Sequence, residues 1–226
     1  FVPSYSFVMS VSGTYDDETA SSDTWYAFLD GNPGQDAYPD VFIGRFPVGR
    51  DVELRALLIK IYRNETAEPD EIWRRRIVLF SDDAWSGSSS DYQYHLNEEQ
   101  FERSVDSCGA TVERSLPGGF EIDRLYLAEY TDPIHPNTTE FGSLVFSRSI
   151  EVTRRTFTPA LVAALNRGCL YHMFQGHANR ALLTTEMAFS LQQYRDIDSL
   201  RTAIPFVFAG FGCHISDFAI RNEFST

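Results

Sequence analysis

Two apolar runs in the second half of the chain each end in a reactive side chain. Cys169-Leu-Tyr-His-Met-Phe-Gln-Gly176 leads to His177, and Ile204-Pro-Phe-Val-Phe-Ala-Gly-Phe-Gly212 leads to Cys213, 36 residues further on. Runs of this length bounded by Gly or Pro fit strands buried on both faces, although periodicity alone does not exclude a buried helix. Read as central strands, each delivers a polar residue just past a Gly, at the carboxyl edge where open α/β sheets hold their chemistry. If the two strands are parallel neighbours, imidazole meets thiol there. His177 then acts as general base or holds the thiolate as an ion pair, and Cys213 is the nucleophile. The backbone N–H groups of Gly176 and Cys213 face the same space and are candidate oxyanion donors. Each residue taken singly also has a plain structural explanation. A buried Cys is a small hydrophobe, and a strand-end His is often just a satisfied polar group; the matched positions favour chemistry.

Such an edge needs strands and crossover helices around it. Residues 1–40 are rich in Ser, Gly, Asp and Tyr and read as loop. Val41-Phe-Ile43 reads as a short strand closed by Gly44. A helix follows from about Asp51 to Arg63, with Asp51 as cap and Leu54, Leu57, Leu58, Ile61 and Tyr62 on one face. Residues 65–71, with Pro69, read as a linker between a loop-rich subdomain of residues 1–70 and a larger one of residues 71–226. Ile77–Phe80 is a strand with Ser81-Asp82-Asp83 at its carboxyl edge, followed by the flexible Ser86-Gly-Ser-Ser-Ser90. Residues 94–107 are helical in pattern, and Arg124–Leu127 is another strand; residues 130–157 give no clear pattern. Thr158-Pro159 reads as a helix start, and Asn166-Arg-Gly168 as its left-handed stop. Helix, strand, loop, helix and strand from Thr158 to Cys213 make a crossover unit of a parallel sheet.

Composition narrows the class. At 226 residues, 43% hydrophobic and 23% charged, the chain is long enough for a sizeable core. A net charge of −13 argues against a nucleic-acid partner. The one tight basic cluster, Arg74-Arg75-Arg76, directly precedes an apolar strand and reads as its solvated beginning. No apolar run reaches the ~18 residues of a membrane span. Three cysteines without CxxC spacing suggest neither a disulfide framework nor a zinc site, and leave a free thiol. Acidic loop residues suit a hard cation or are simply solvated.

Five motifs in order resemble the gingipain-type cysteine peptidases, peptidase family C25 of the caspase-like clan. They are Ser22-Asp23 with Trp25-Tyr26, Tyr38-Pro-Asp-Val-Phe-Ile-Gly-Arg-Phe-Pro47, Trp73-Arg-Arg-Arg-Ile-Val-Leu-Phe-Ser-Asp-Asp83, the Gly176-His177 turn, and Pro205-Phe-Val-Phe-Ala-Gly-Phe-Gly-Cys213 followed by Asp217-Phe218. The resemblance implies an α/β fold with a caspase-like, open, mostly parallel sheet flanked by helices, in two subdomains. It also implies a sheet incomplete at its C-terminal side, since the chain stops soon after Cys213, with a further segment of the same protein supplying the rest. The implied activity is that of a secreted or cell-surface bacterial cysteine endopeptidase acting on protein or peptide. Cys213 would attack the scissile carbonyl and His177 would handle protons. The third carboxylate falls on Asp83, with Asp82 as its alternative, and the carboxylate of an arginine-binding pocket on Asp91. Structural calcium falls on Asp36, the Tyr38 carbonyl and Asp40; no organic cofactor is implied. Ala178 stands where the family has Gly, and His214 follows the nucleophile where a smaller residue is usual. With the early stop, these leave open a catalytically silent binding or secretion module; a sorting peptidase that transfers its product is a third implication.

Overall fold

The computed structural model describes residues 5–9, 18–30, 38–130, 143–202 and 204–215. In chain order the elements are β1 (Tyr5–Met9), β2 (Glu18–Ser22), α1 (Asp51–Thr66), β3 (Arg76–Ser81), β4 (Trp85–Ser86), β5 (Gln93–Tyr94), α2 (Gln100–Ser115), β6 (Glu121–Tyr126), α3 (Ser143–Asn166), β7 (Tyr171–Gln175), β8 (Leu182–Leu183), β9 (Phe189–Ser190) and β10 (Val207–Phe211). Short 3₁₀ turns join several of them. Two compact units result, one containing the described residues up to Ala56 and the other Leu57–Ile215. The division between these units falls inside α1. None of the described helices is long and apolar enough to cross a membrane.

In the first unit β1 and β2 pair antiparallel. The Arg45 guanidinium donates to Asp23 through Nε at 2.6 Å and Nη2 at 2.7 Å, tying the Ser22-Asp23 motif to the Gly44-Arg45-Phe46-Pro47 motif. That hydrogen bond holds the Asp23 carboxyl below its ordinary range. Val41–Ile43, expected as a strand, is irregular, and all three side chains are exposed. A three-residue apolar run between Pro39 and Pro47 finds no neighbouring strand among the described residues to complete its ladder.

The second unit is built on a four-stranded sheet in the order β10-β7-β3-β6, with every pair parallel. β3 is buried along its whole length, as its unbroken apolar sequence requires. Its alternate residues serve two cores. On one face Val78 and Phe80 pack with Phe174 of β7 and with Phe157, Leu161, Ala164 and Leu165 of α3; Phe80 lies 4.7 Å, ring to ring, from both Phe157 and Phe174. On the other face Ile77, Leu79 and Met173 meet Val105 of α2. Gly109 lets α2 approach closely: a Cβ there would sit 2.9 Å from Leu79 Cδ1. The crossover after β3 leads to β6 on one side of it, whereas the crossover after β6 returns to β7 on the other. The carboxyl edge between β3 and β7 is therefore a topological switch point, where open α/β sheets bind ligands.

Four expectations change. α3 starts at Ser143 and runs through Pro159 without stopping. Proline removes one donor, but the carbonyl it would have served belongs to exposed Arg155, so water can replace the bond. The left-handed stop at Gly168, φ 83°, is as expected. β10 is the edge of the described sheet rather than a central strand, and Val207, Phe208 and Phe211 are exposed. Only a single 3₁₀ turn, Asp196–Ser199, stands in its crossover where a helix was expected. The arginine cluster makes structural contacts, with Arg75 exposed, Arg74 part-buried and Arg76 buried. Arg74 donates to the carbonyls of Ala67 and Glu68 just past α1, Arg75 to those of Gly118 and Gly119, and buried Arg76 pairs with Asp123 and donates to the Gly168 carbonyl.

His172, on β7, is buried, and its Nδ1–H donates to the Val78 carbonyl at 3.1 Å. Burial pulls its pKa from 6.5 down to about 4, so between those values the unfolded chain binds a proton that the folded chain does not. Stability should therefore fall as pH drops from 6.5 towards 4, by up to about 1.4 kcal/mol per pH unit from this residue. Urea unfolding at several pH values should give a shallower slope for His172→Phe than for the parent; parallel slopes would overturn the assignment.

Candidate active site

Parallel pairing of β7 with β10 sets Gln175 opposite Phe211, so the two turns leave the sheet at the same level. The Gly176 N–H continues the ladder to the Phe211 carbonyl at 3.1 Å. A Cβ at Gly212 would come within 2.7 Å of the Gly176 carbonyl oxygen, so only glycine permits this approach. His177 and exposed Cys213 follow these glycines on neighbouring turns. Because the Gly176 N–H is spent in the ladder, it is not the free oxyanion donor expected of it. The buried thiol of Cys169 is different in kind, pushed up to about 11 by burial and so held protonated.

β3 supplies the support. Asp82 is buried, and its Oδ2 accepts the His177 N–H at 2.8 Å while its own N–H donates to the Gln175 carbonyl at 3.0 Å. Gly176 adopts φ 157° directly over it, where a Cβ would stand 2.2 Å from Asp82 Cβ. Asp82 thus fixes the backbone of the His177 turn, and the carboxylate on the imidazole itself is a third group. Glu98 Oε1 lies 3.0 Å from His177 Nε2, a charge contact not aligned as a full hydrogen bond. Phe101 meets the ring edge-on at 5.5 Å.

Asp83 was expected beside the imidazole, but it turns elsewhere. Its Oδ1 accepts the Trp85 N–H at 2.8 Å, and its Oδ2 is buried without a hydrogen-bond partner. Strand alternation explains this: adjacent residues at a strand end cannot both face the same turn. Asp91, expected in a substrate pocket, is exposed and accepts both the N–H and the hydroxyl of Ser88, closing a turn on its own loop. Those bonds hold its carboxyl below the ordinary range. Of the expected calcium ligands, Asp36 lies outside the described residues and Tyr38 is an exposed residue. Asp40 uses Oδ2 to accept the Leu29 and Asp30 N–H groups at 2.7 and 3.3 Å.

The departures at positions 178 and 214 resolve differently. Ala178 is not among the residues with positive φ; it bridges Leu183, and its methyl group lies beside Gly212. His214 does take the left-handed conformation, φ 55°, which His adopts more readily than most residues. Glu98 and Glu186 were not singled out from the sequence. Glu98 lies in Leu96-Asn-Glu-Glu99, where it reads as a polar helix start, and Glu186 is an isolated acid in a loop; neither spacing points to His177.

The comparisons agree with this frame. The family model for peptidase family C25 matches residues 1–226, and the chain belongs to that family. Its fold is similar to the crystal structure of the Arg-specific cysteine proteinase gingipain R, with a TM-score of 0.59 and 19% identity. That match covers 89% of this chain and 38% of the gingipain chain. No curated protein matches significantly.

The close approach at Gly176 gives a direct test. Gly176→Ala should destabilise the protein by about 1–3 kcal/mol, as overpacking does, measured by chemical denaturation. An unchanged midpoint would mean that Asp82 does not hold this turn.

Proposed function

We propose that this chain carries the catalytic centre of a cysteine endopeptidase, with Cys213 as nucleophile and His177 as its proton partner. One observation supports it most: parallel β7 and β10 end in register, and their next residues but one are His177 and Cys213. Glu98 beside Nε2 favours the tautomer with the proton on that nitrogen, leaving the Nδ1 lone pair to take the thiol proton. The thiolate then forms a bond to the scissile carbonyl carbon. The resulting oxyanion is met by the Cys213 N–H, and His177 returns the proton to the leaving amine as the C–N bond breaks. Water, deprotonated by the same imidazole, hydrolyses the thioester and restores the thiol. Asp82 contributes by keeping the His177 backbone in place, and Glu98 is a positioning residue acting through the imidazole. The substrate is a peptide or protein, and a secreted or cell-surface setting suits the family.

Peptidyl acyloxymethyl ketones bearing Arg, Lys or Leu at P1 test this reading by intact mass. A single adduct absent from Cys213→Ala is the expected result; no adduct on the folded parent would instead favour a catalytically silent homologue. Glu98→Gln should lower kcat by about 10²-fold or more, in the range of a lost acid–base partner, with KM little changed and Cys213 still alkylated by iodoacetamide. Full activity in Glu98→Gln would remove Glu98 from the centre.

A further inference from the structure

Beneath the His177 turn lie three buried carboxylates, two of which the peptidase reading leaves unexplained. Asp82, Asp83 and Glu186 are 1%, 4% and 0% exposed, and each offers an oxygen within 4.8 Å of the others. Hydrogen bonds account for part of the set. Asp82 accepts the Asp83 and His177 N–H groups, Asp83 Oδ1 accepts the Trp85 N–H, and Glu186 Oε1 accepts the Tyr92 hydroxyl at 2.6 Å. The second oxygens of Asp83 and Glu186 are buried without a hydrogen-bond partner. Among the described residues no Lys, Arg or His forms an ion pair with any of the three. Burial pushes all three carboxyls upwards, Asp83 to about 7; neighbouring carboxylates add to it, Glu186 and Asp83 on Asp82, Asp83 on Glu186, and Glu98 on Asp83. Desolvated carboxylates without a counter-charge are among the costliest groups a protein can bury.

We infer that Asp82, Asp83 and Glu186 form a buried calcium site under the His177 turn. The donor set is all carboxylate oxygen, which selects a hard cation over zinc or copper. Magnesium usually keeps several waters, and these buried side chains leave it no open face, whereas calcium accepts dehydrated and bidentate carboxylates. Opposed oxygens about 4.6–5.2 Å apart span a calcium ion at its ordinary bond lengths, and the three oxygens, all within 4.8 Å of one another, are close enough to share one ion. The unpartnered oxygens of Asp83 and Glu186 are the ligating atoms, and Asp82 links the ion to the His177 backbone. This site is separate from the Asp36–Asp40 loop and does not depend on the peptidase reading, because its test reads binding rather than cleavage.

The test uses the whole chain, first treated with chelator. Calcium titration should raise the melting temperature of the parent, and terbium should bind in its place with emission excited through Trp85, whose ring stacks on Tyr92 at 5.8 Å. Asp83→Asn and Glu186→Gln should each weaken calcium binding tenfold or more, as read by calorimetry. Glu186→Gln keeps an acceptor for Tyr92, so it is expected to fold. Trp85→Phe should dim the terbium emission. A parent whose melting and calorimetry ignore calcium, or calcium binding intact in both carboxamide variants, would overturn the site.

Discussion

The parallel pairing of β3 with β7 is the constraint on which the rest depends. It places Asp82 under the Gly176–His177 turn, and a single side-chain oxygen then fixes a backbone N–H that belongs to a segment 95 residues away. The same pairing buries that carboxylate, raising the cost of any arrangement in which it lacks donors. Glycine at 176 follows from this closeness, because any side chain would overlap Asp82.

The sheet order turns this local contact into a site. Because β6 and β7 lie on opposite sides of β3, its carboxyl end opens between diverging connections, and the residues after β3 and β7 occupy one crevice. β10, the next strand, ends in register with β7, and Cys213 follows it by two residues as His177 follows β7. The phenylalanine cluster of Phe80, Phe157 and Phe174 anchors β3 and β7 to α3, so the positions of the reactive groups rest on a packed core rather than on their loops.

The acidic groups divide by environment. Part-buried Asp23 and exposed Asp40 and Asp91 each satisfy nearby donors and act as turn or motif fasteners. Glu98, partly buried, faces the imidazole, while Asp82, Asp83 and Glu186 lie where water cannot reach. One residue type thus does three jobs, decided by burial and by which strand face it occupies.

The sequence by itself determined that the apolar runs before His177 and Cys213 are strands ending in glycine turns, because apolar runs and Gly punctuation are local signals that survive without knowledge of partners. It also carried the family, through motifs spread along the chain in order. Only the tertiary structure decided which carboxylate meets the imidazole, that Asp91 closes its own turn, that α3 passes through Pro159 and that β10 lies at the described edge. Those outcomes depend on contacts between residues far apart in sequence, such as Glu98 with His177 and Tyr92 with Glu186, and no spacing along the chain encodes which pairs a fold will bring together.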